Sequence, residues 1–140
     1  GEPFEAIPTG KGRKLKDGNE FAVLTIGPVA HFAKEAIERV ESEYKTSVAH
    51  YDLRFAKPLD EELLHEVGRT FNKVITVEDG ALRGGVGEAV VKFFNDNGYA
   101  VNVKCLGIED KFIEHGTPVE LYALCGFDAA GIEQQIKSML

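Results

Sequence analysis

Short apolar runs alternate along this chain with segments that have the period of an amphipathic helix. Two of these runs, Phe21–Gly27 (FAVLTIG) and Lys73–Val77 (KVITV), are continuous and rich in β-branched residues. Such runs are typical of strands buried on both faces, which occur where helices cover a parallel sheet. Two further strands are predicted at Ser47–Leu53 and Ala100–Leu106. The alternation therefore predicts βαβ units, and so an α/β fold with a mostly parallel sheet and helices on both faces.

The helices are predicted from apolar residues that recur every three or four positions. The first covers about His31–Tyr44, the second follows the N-cap residue Asp60, and the third covers about Gly85–Asn97. Two short helices are predicted in the tail, at about 118–124 and, after a cap at Asp128, at 129–139.

The chain has 140 residues, which is near the usual size of one domain. Residues 1–20 are rich in Gly, Pro and charged residues, and they are interpreted as a linker plus one short strand at Lys11–Leu15. Residues 21–140 are interpreted as a single α/β domain. An irregular opening of this kind is typical of a domain that belongs to a longer polypeptide.

The charge and the cysteines exclude several classes of function. The formal net charge of −7 argues against a nucleic-acid-binding protein, because phosphate contacts need clustered Lys and Arg. No apolar stretch approaches the length of a membrane span and no signal peptide opens the sequence, so we expect a cytoplasmic protein without a membrane partner. Cys105 and Cys125 do not have the spacing of zinc ligands.

A glycine-rich turn between the third buried strand and the next helix is the first candidate site. In a parallel sheet, ligands meet the loops at the carboxyl ends of the strands, which here include the loop after Gly27. The segment 80–88 (GALRGGVGE) has the position of a phosphate-binding loop, but it lacks both the P-loop lysine and a complete dinucleotide motif. Gly84 and Gly85 therefore leave two alternatives, nucleotide binding or close backbone packing.

Charged residues at the strand ends supply the other candidates. Glu78 ends a buried strand and must be solvated or paired, and Arg54 at the end of the preceding strand is its natural partner. The pair is either structural or contacts another domain or subunit. His31 lies just beyond a strand end, where a ligand contact is possible. The sequence contains no arrangement of residues that forms a catalytic site or a metal site, so we expect no catalytic, cofactor-binding or metal-binding residue in this chain.

Three stretches resemble a known family. Residues 52–60 (DLRFAKPLD), and 76–80 (TVEDG) with 84–90 (GGVGEAV), are similar to the C-terminal domain shared by transketolases, 2-oxo-acid dehydrogenase β chains and deoxyxylulose-phosphate synthases. Residues 107–116 (GIEDKFIEHG), with 126–132 (GFDAAGI), resemble the deoxyxylulose-phosphate synthase tail specifically. One departure is Asp79-Gly80, where the family pattern has Glu-Asn, and it puts in doubt any fixed interdomain role for this acid.

The resemblance implies a domain of a homodimeric transferase that depends on thiamine diphosphate and Mg²⁺. Such an enzyme joins a two-carbon unit from pyruvate to glyceraldehyde 3-phosphate and releases CO₂, and its product feeds isoprenoid, thiamine and pyridoxal biosynthesis. The cofactor ligands and the activating glutamate lie in upstream domains of the same polypeptide, so the isolated fragment is expected to be inactive, to bind neither cofactor and to support the dimer. Two alternatives remain: the equivalent domain of a transketolase or dehydrogenase β chain, and a free-standing module that binds a small ligand at residues 80–87.

The resemblance also implies the strand order. The family has a three-layer α/β/α sandwich around a five-stranded sheet, with the Lys11–Leu15 strand antiparallel at one edge. The strands that start at Ser47, Phe21, Lys73 and Ala100 follow in that order. The Phe21 strand is then central, and Arg54 and Glu78 would form an ion pair over Gly27.

Overall fold

Residues 9–81, 84–108 and 128–140 are described by the computed structural model, and they form a five-stranded sheet between two layers of helices. The strand order is β1-β3-β2-β4-β5, with β1 antiparallel to β3 and the other pairs parallel. The strands are β1 Arg13–Lys16, β2 Phe21–Ile26, β3 Val48–Asp52, β4 Lys73–Ala81 and β5 Asn102–Ile108. The expected fold class, strand order and antiparallel edge strand are therefore confirmed.

Four helices are described: α1 Ala30–Glu43, α2 Glu61–Thr70, α3 Val86–Asp96 and α4 Ala129–Met139. The helices α1, α3 and α4 begin and end within about two residues of their predicted bounds, and α2 begins directly after its predicted N-cap, Asp60. The short helix predicted at 118–124 and the side chain of Cys125 lie outside the described residues. No helix in the described ranges is long and apolar enough to cross a membrane.

The central strand β2 carries both halves of the core. Its residues Phe21 and Val23 face one side of the sheet, where they pack with α1 and α4. Ala22 and Leu24 face the other side, where they pack with α2 and α3. Because both faces are covered, all five residues from Phe21 to Thr25 are buried, which explains the unbroken apolar run in the sequence.

The Asp60 carboxylate links the segment before β1 to the start of α2. Its Oδ1 accepts a hydrogen bond from the backbone N–H of Leu63 (3.1 Å), which confirms the predicted N-cap of α2. Its Oδ2 accepts from the N–H of Gly12 (2.9 Å), just before the edge strand β1. One buried carboxylate thus starts a helix and positions the edge of the sheet.

The strand β4 runs four residues further than the predicted end at Val77. It remains paired with β5 as far as Ala81, which lies opposite Ile108, across an irregularity in the register after Val77. The polar residues Glu78, Asp79 and Gly80 look like a loop in the sequence, but they lie within the strand: Glu78 pairs with Ile26 of β2, and pairing with β5 resumes at Ala81. This extension brings the side chain of Glu78 to the start of α3.

Candidate functional site

The carboxyl edge of the sheet collects most of the residues that the sequence singled out. Ile26, at the end of β2, is in register with Glu78 of β4, and Thr25 is in register with Asp52 of β3. Gly27 follows β2 directly, and Arg54 follows β3 after one intervening residue. The structure therefore places Gly27, Arg54 and Glu78 at the same edge, on and beside the central strand.

Glu78 binds the first turn of α3. Its carboxylate oxygens accept hydrogen bonds from the backbone N–H groups of Val86 (3.0 Å) and Gly87 (2.8 Å), and the residue is only 4% exposed. These N–H groups have no partner within the helix, and the helix dipole favours negative charge at this end. The predicted ion pair between Glu78 and Arg54 is wrong, because no ion pair joins them within the described residues and Glu78 binds α3 instead.

The glycines of the glycine-rich turn allow a left-handed backbone conformation and a close approach of α3 to the sheet. Gly84 has a φ of 72°, a conformation that residues with a side chain rarely adopt, and its N–H donates to Glu88 Oε2 (2.8 Å). Gly85 is the N-cap residue of α3. A Cβ on Gly87 would lie only 2.7 Å from Cys105 Sγ and 2.8 Å from Thr76 Oγ1. Close packing occurs at Gly87, where the helix rests on β4 and β5, but the close packing predicted at Gly84 is wrong, because nothing in the described part of the chain, apart from its chain neighbours, lies within 4 Å of a Cβ built there.

The same contacts argue against the nucleotide alternative. A phosphate at a helix N-terminus uses the free N–H groups of the first turn. At α3, the N–H groups of Val86 and Gly87 are bound to the chain's own buried carboxylate, Glu78. A second anion there would have to displace this carboxylate.

Arg54 is held in an unusual backbone conformation. Its φ is 62°, in the left-handed region, and it is the only non-glycine residue in the described ranges with a positive φ. Asp52 Oδ1 accepts a hydrogen bond from the Arg54 N–H (3.0 Å), and the flanking N–H groups of Leu53 and Phe55 are also bonded, to Thr25 O (2.8 Å) and Leu53 O (2.7 Å). No ion pair or side-chain hydrogen bond of the guanidinium occurs within the described part of the chain.

Asp79 is the exposed acid of this edge. A Cβ built on Gly27, whose φ is 84°, would lie 3.6 Å from Asp79 Oδ1, so the carboxylate sits over the glycine. The sequence placed an ion pair over Gly27, but the side chain found there is a single carboxylate. The edge thus presents a cation at Arg54 and an anion at Asp79.

His31 lies in the first turn of α1, which follows Gly27 and Pro28. It is exposed, and its Nδ1 donates to the carbonyl oxygen of Pro28 (2.5 Å). No hydrogen bond or ion pair joins His31 to Arg54 or Glu78 among the described residues. It lines a cavity of about 440 Å³ between β1 and α1. His31 therefore contributes to the wall of this cavity and, within the described ranges, makes no bond to Arg54 or Glu78.

His50 forms part of the same cavity wall, and sequence reasoning did not single it out. It is 2% exposed, and its Nε2 lies 2.9 Å from Thr25 Oγ1. Burial disfavours the charged imidazolium and lowers the pKa of His50 to about 4, despite the opposing attraction of Asp52. The available signal was its place in strand β3, two residues from Val48 and so on the same buried face.

No group of three or more His, Cys, Asp or Glu side chains that could hold a metal ion occurs within residues 9–81, 84–108 and 128–140. The described side chains therefore do not offer a ligand set for Mg²⁺. The predicted lack of cofactor and metal ligands in the chain as a whole stays a prediction.

Comparison with known proteins places this geometry in context. The family model for the transketolase C-terminal domain matches residues 10–132. The 1-deoxy-D-xylulose-5-phosphate synthases of Bacteroides thetaiotaomicron and Bacteroides fragilis are each 58% identical over 134 residues, which cover 96% of this chain and 21% of the relative. A solved structure described as a split-gene transketolase, inactive β4 tetramer, is 30% identical with a TM-score of 0.85, and the match covers 96% of this chain and 43% of that one. The chain thus spans about one fifth of the curated relatives it matches.

Proposed function

Because the chain belongs to the transketolase C-terminal domain family, we propose that it serves as the C-terminal domain of a 1-deoxy-D-xylulose-5-phosphate synthase. The observation that carries this proposal is the identity of 58% to two such synthases over nearly the whole chain. The likeness to the split-gene transketolase is lower, at 30%, so it supports the wider family but not a transketolase in particular.

The parent enzyme transfers a two-carbon unit from pyruvate to glyceraldehyde 3-phosphate and releases CO₂. Thiamine diphosphate supplies the carbanion chemistry when it is bound, with Mg²⁺ holding its diphosphate. The described residues of this chain do not fit either group, because the helix N-terminus that suits a phosphate is bound to Glu78 and no three metal-ligating side chains come together. We therefore assign both cofactors to the upstream domains of the same polypeptide.

The role of this domain is structural. Its two cores pack helices against both faces of the sheet, and the carboxyl edge presents Arg54 and Asp79 from backbone that is fixed by hydrogen bonds and glycine geometry. A fixed edge with charged groups suits contact with other domains and with the second copy of a homodimer in the cytoplasm. The domain supports the active site without touching the reacting atoms.

Two measurements test the proposal. The full-length parent polypeptide, with thiamine diphosphate and Mg²⁺, is expected to form 1-deoxy-D-xylulose 5-phosphate from pyruvate and glyceraldehyde 3-phosphate. The isolated 140-residue chain, checked for folding by circular dichroism, is expected to show no heat of binding with the same cofactors.

The outcomes separate the alternatives. A parent that uses ketose donors instead of pyruvate is a transketolase, and a parent that decarboxylates other 2-oxo acids belongs with the dehydrogenases. Saturable micromolar binding of thiamine diphosphate to the isolated chain would contradict the assignment of the cofactor to the upstream domains. A free-standing module would fold and bind a small ligand with no parent polypeptide at all.

A further inference from the structure

We infer that Arg54 is a docking residue, whose guanidinium binds a carboxylate on another part of the parent polypeptide. The inference rests on the proposed function, since it requires a larger protein around this domain. It deepens that function by naming the residue and the chemistry of the contact.

The backbone of Arg54 has a conformation that is unfavourable for a residue with a side chain. A φ of 62° brings the Cβ of an L-residue close to its own backbone, so glycine, and to a lesser extent asparagine or aspartate, are the residues that adopt it readily. A turn that served only to end β3 would be more stable with glycine. Strain of this kind persists at sites where the side chain has a function, which supports a role for the arginine beyond the turn.

The described residues of the domain do not bind the guanidinium of Arg54. Its natural partner at this edge is Glu78, but that carboxylate is bound to the N–H groups of Val86 and Gly87. Within the described part of the chain, the guanidinium makes neither an ion pair nor a side-chain hydrogen bond. Five N–H donors are thus left for a partner outside these residues.

The backbone that carries the Arg54 side chain is fixed by hydrogen bonds. The N–H of Arg54 is bonded to Asp52 Oδ1 (3.0 Å), and the neighbouring N–H of Leu53 is bonded to Thr25 O on the central strand (2.8 Å). The arginine therefore starts from a fixed position, and little backbone entropy is lost on docking.

A carboxylate is the group that best fits the guanidinium of Arg54. A planar guanidinium matches a carboxylate in a bidentate arrangement, and arginine suits partly buried ion pairs between protein surfaces. The matched relatives contain much more chain than this domain, which spans 21% of their length. We therefore assign the partner to an Asp or Glu in the remainder of the polypeptide.

The test compares two substitutions in two contexts. In the isolated chain, Arg54→Gly relieves the strained φ and, among the described residues, removes no ion pair or side-chain hydrogen bond, so its Tm is expected to rise by roughly 2–4 °C. In the full-length parent, the same substitution removes the docking contact. Hydrogen exchange of the amides at 53–57 is expected to speed up about tenfold or more there, and Arg54→Lys, which keeps the charge but not the fork, is expected to recover only part of the protection.

Arg69→Gln is the matched control. Arg69 lies at the end of α2, at the opposite edge of the sheet, is exposed, and has no ion pair among the described residues. It is expected to leave both measurements unchanged. If Arg54→Gly destabilises the isolated chain, Arg54→Asn replaces it, because asparagine tolerates the same φ.

The inference is overturned if every Arg54 variant leaves the exchange of the full-length protein as Arg69→Gln does. It is also overturned if Arg54→Gly and Arg54→Asn both destabilise the isolated chain, because the guanidinium then has a partner within the domain. An inactive parent with slowed exchange at 53–57 that depends on Arg54 would instead refute the proposed synthase while leaving the docking contact in place.

Discussion

Glu78 is the residue whose replacement most directly tests how the carboxyl edge is held. The substitution Glu78→Gln keeps the size and one acceptor oxygen, but it removes the charge and turns an NH₂ group toward one of the two N–H donors of α3. A hydrogen bond to a charged group contributes about 1.5–3 kcal/mol when buried, and the helix dipole adds a further fraction. We therefore expect a loss of about 2 kcal/mol in the free energy of unfolding.

For a domain of this size, a loss of about 2 kcal/mol lowers Tm by roughly 4–8 °C. Urea unfolding of the isolated chain, followed by far-UV circular dichroism, measures the free energy directly, and an unchanged m-value shows that the folded state is otherwise the same. The control is Glu88→Gln in the same helix. This carboxylate also accepts one backbone N–H, from Gly84 (2.8 Å), but it is exposed and is expected to contribute less than about 1 kcal/mol.

Glu78→Gln is expected to lower the free energy of unfolding more than Glu88→Gln does. If Glu78→Gln costs no more than Glu88→Gln, the buried carboxylate does not hold the start of α3, and the reasoning fails. A second, local test is hydrogen exchange of the backbone amides of Val86 and Gly87. The two donors are expected to lose protection in Glu78→Gln but to keep it in Glu88→Gln.

Two further predictions concern the core. In the unfolded state His50 binds a proton as the pH falls below about 6.5, but in the folded state its pKa of about 4 keeps it neutral. The free energy of unfolding therefore falls as the pH falls from about 6.5 to about 4. The loss of unfolding free energy from His50 is at most about 3 kcal/mol. Urea unfolding at pH values from 7 to 4 is expected to show a smaller loss in His50→Gln than in the unchanged chain, and an equal dependence on pH in the two proteins would contradict the lowered pKa of His50. Gly87→Ala is expected to destabilise the chain by about 1–3 kcal/mol despite the better helix propensity of alanine, because its Cβ would meet Cys105 Sγ at 2.7 Å. In a double-mutant cycle, Cys105→Ala should recover part of this loss, and strict additivity would argue against the clash.

Local pattern alone determined the elements of this fold. The unbroken apolar run of β2 predicted a strand covered on both sides. The spacing of apolar residues predicted the ends of α1 and α3 to within about two residues. Asp60 was readable as an N-cap, because a cap bonds to residues two or three positions away. Each of these interactions joins neighbours in the chain, so the information that specifies it lies within a short window of sequence.

Tertiary structure decided which of these elements meet. The strand order came from family resemblance and not from periodicity, since any of the strands could pair with any other on apolar pattern alone. The sequence placed Glu78 and Arg54 at the same edge correctly, but it could not show that β4 continues past Val77 and carries the carboxylate to the amides of α3. The burial of His50 likewise follows from α1 covering β3. Such contacts depend on the relative placement of segments far apart in sequence. Packing decides which hydrogen-bond donors lie within reach of a buried carboxylate, and a short window of sequence does not contain that information.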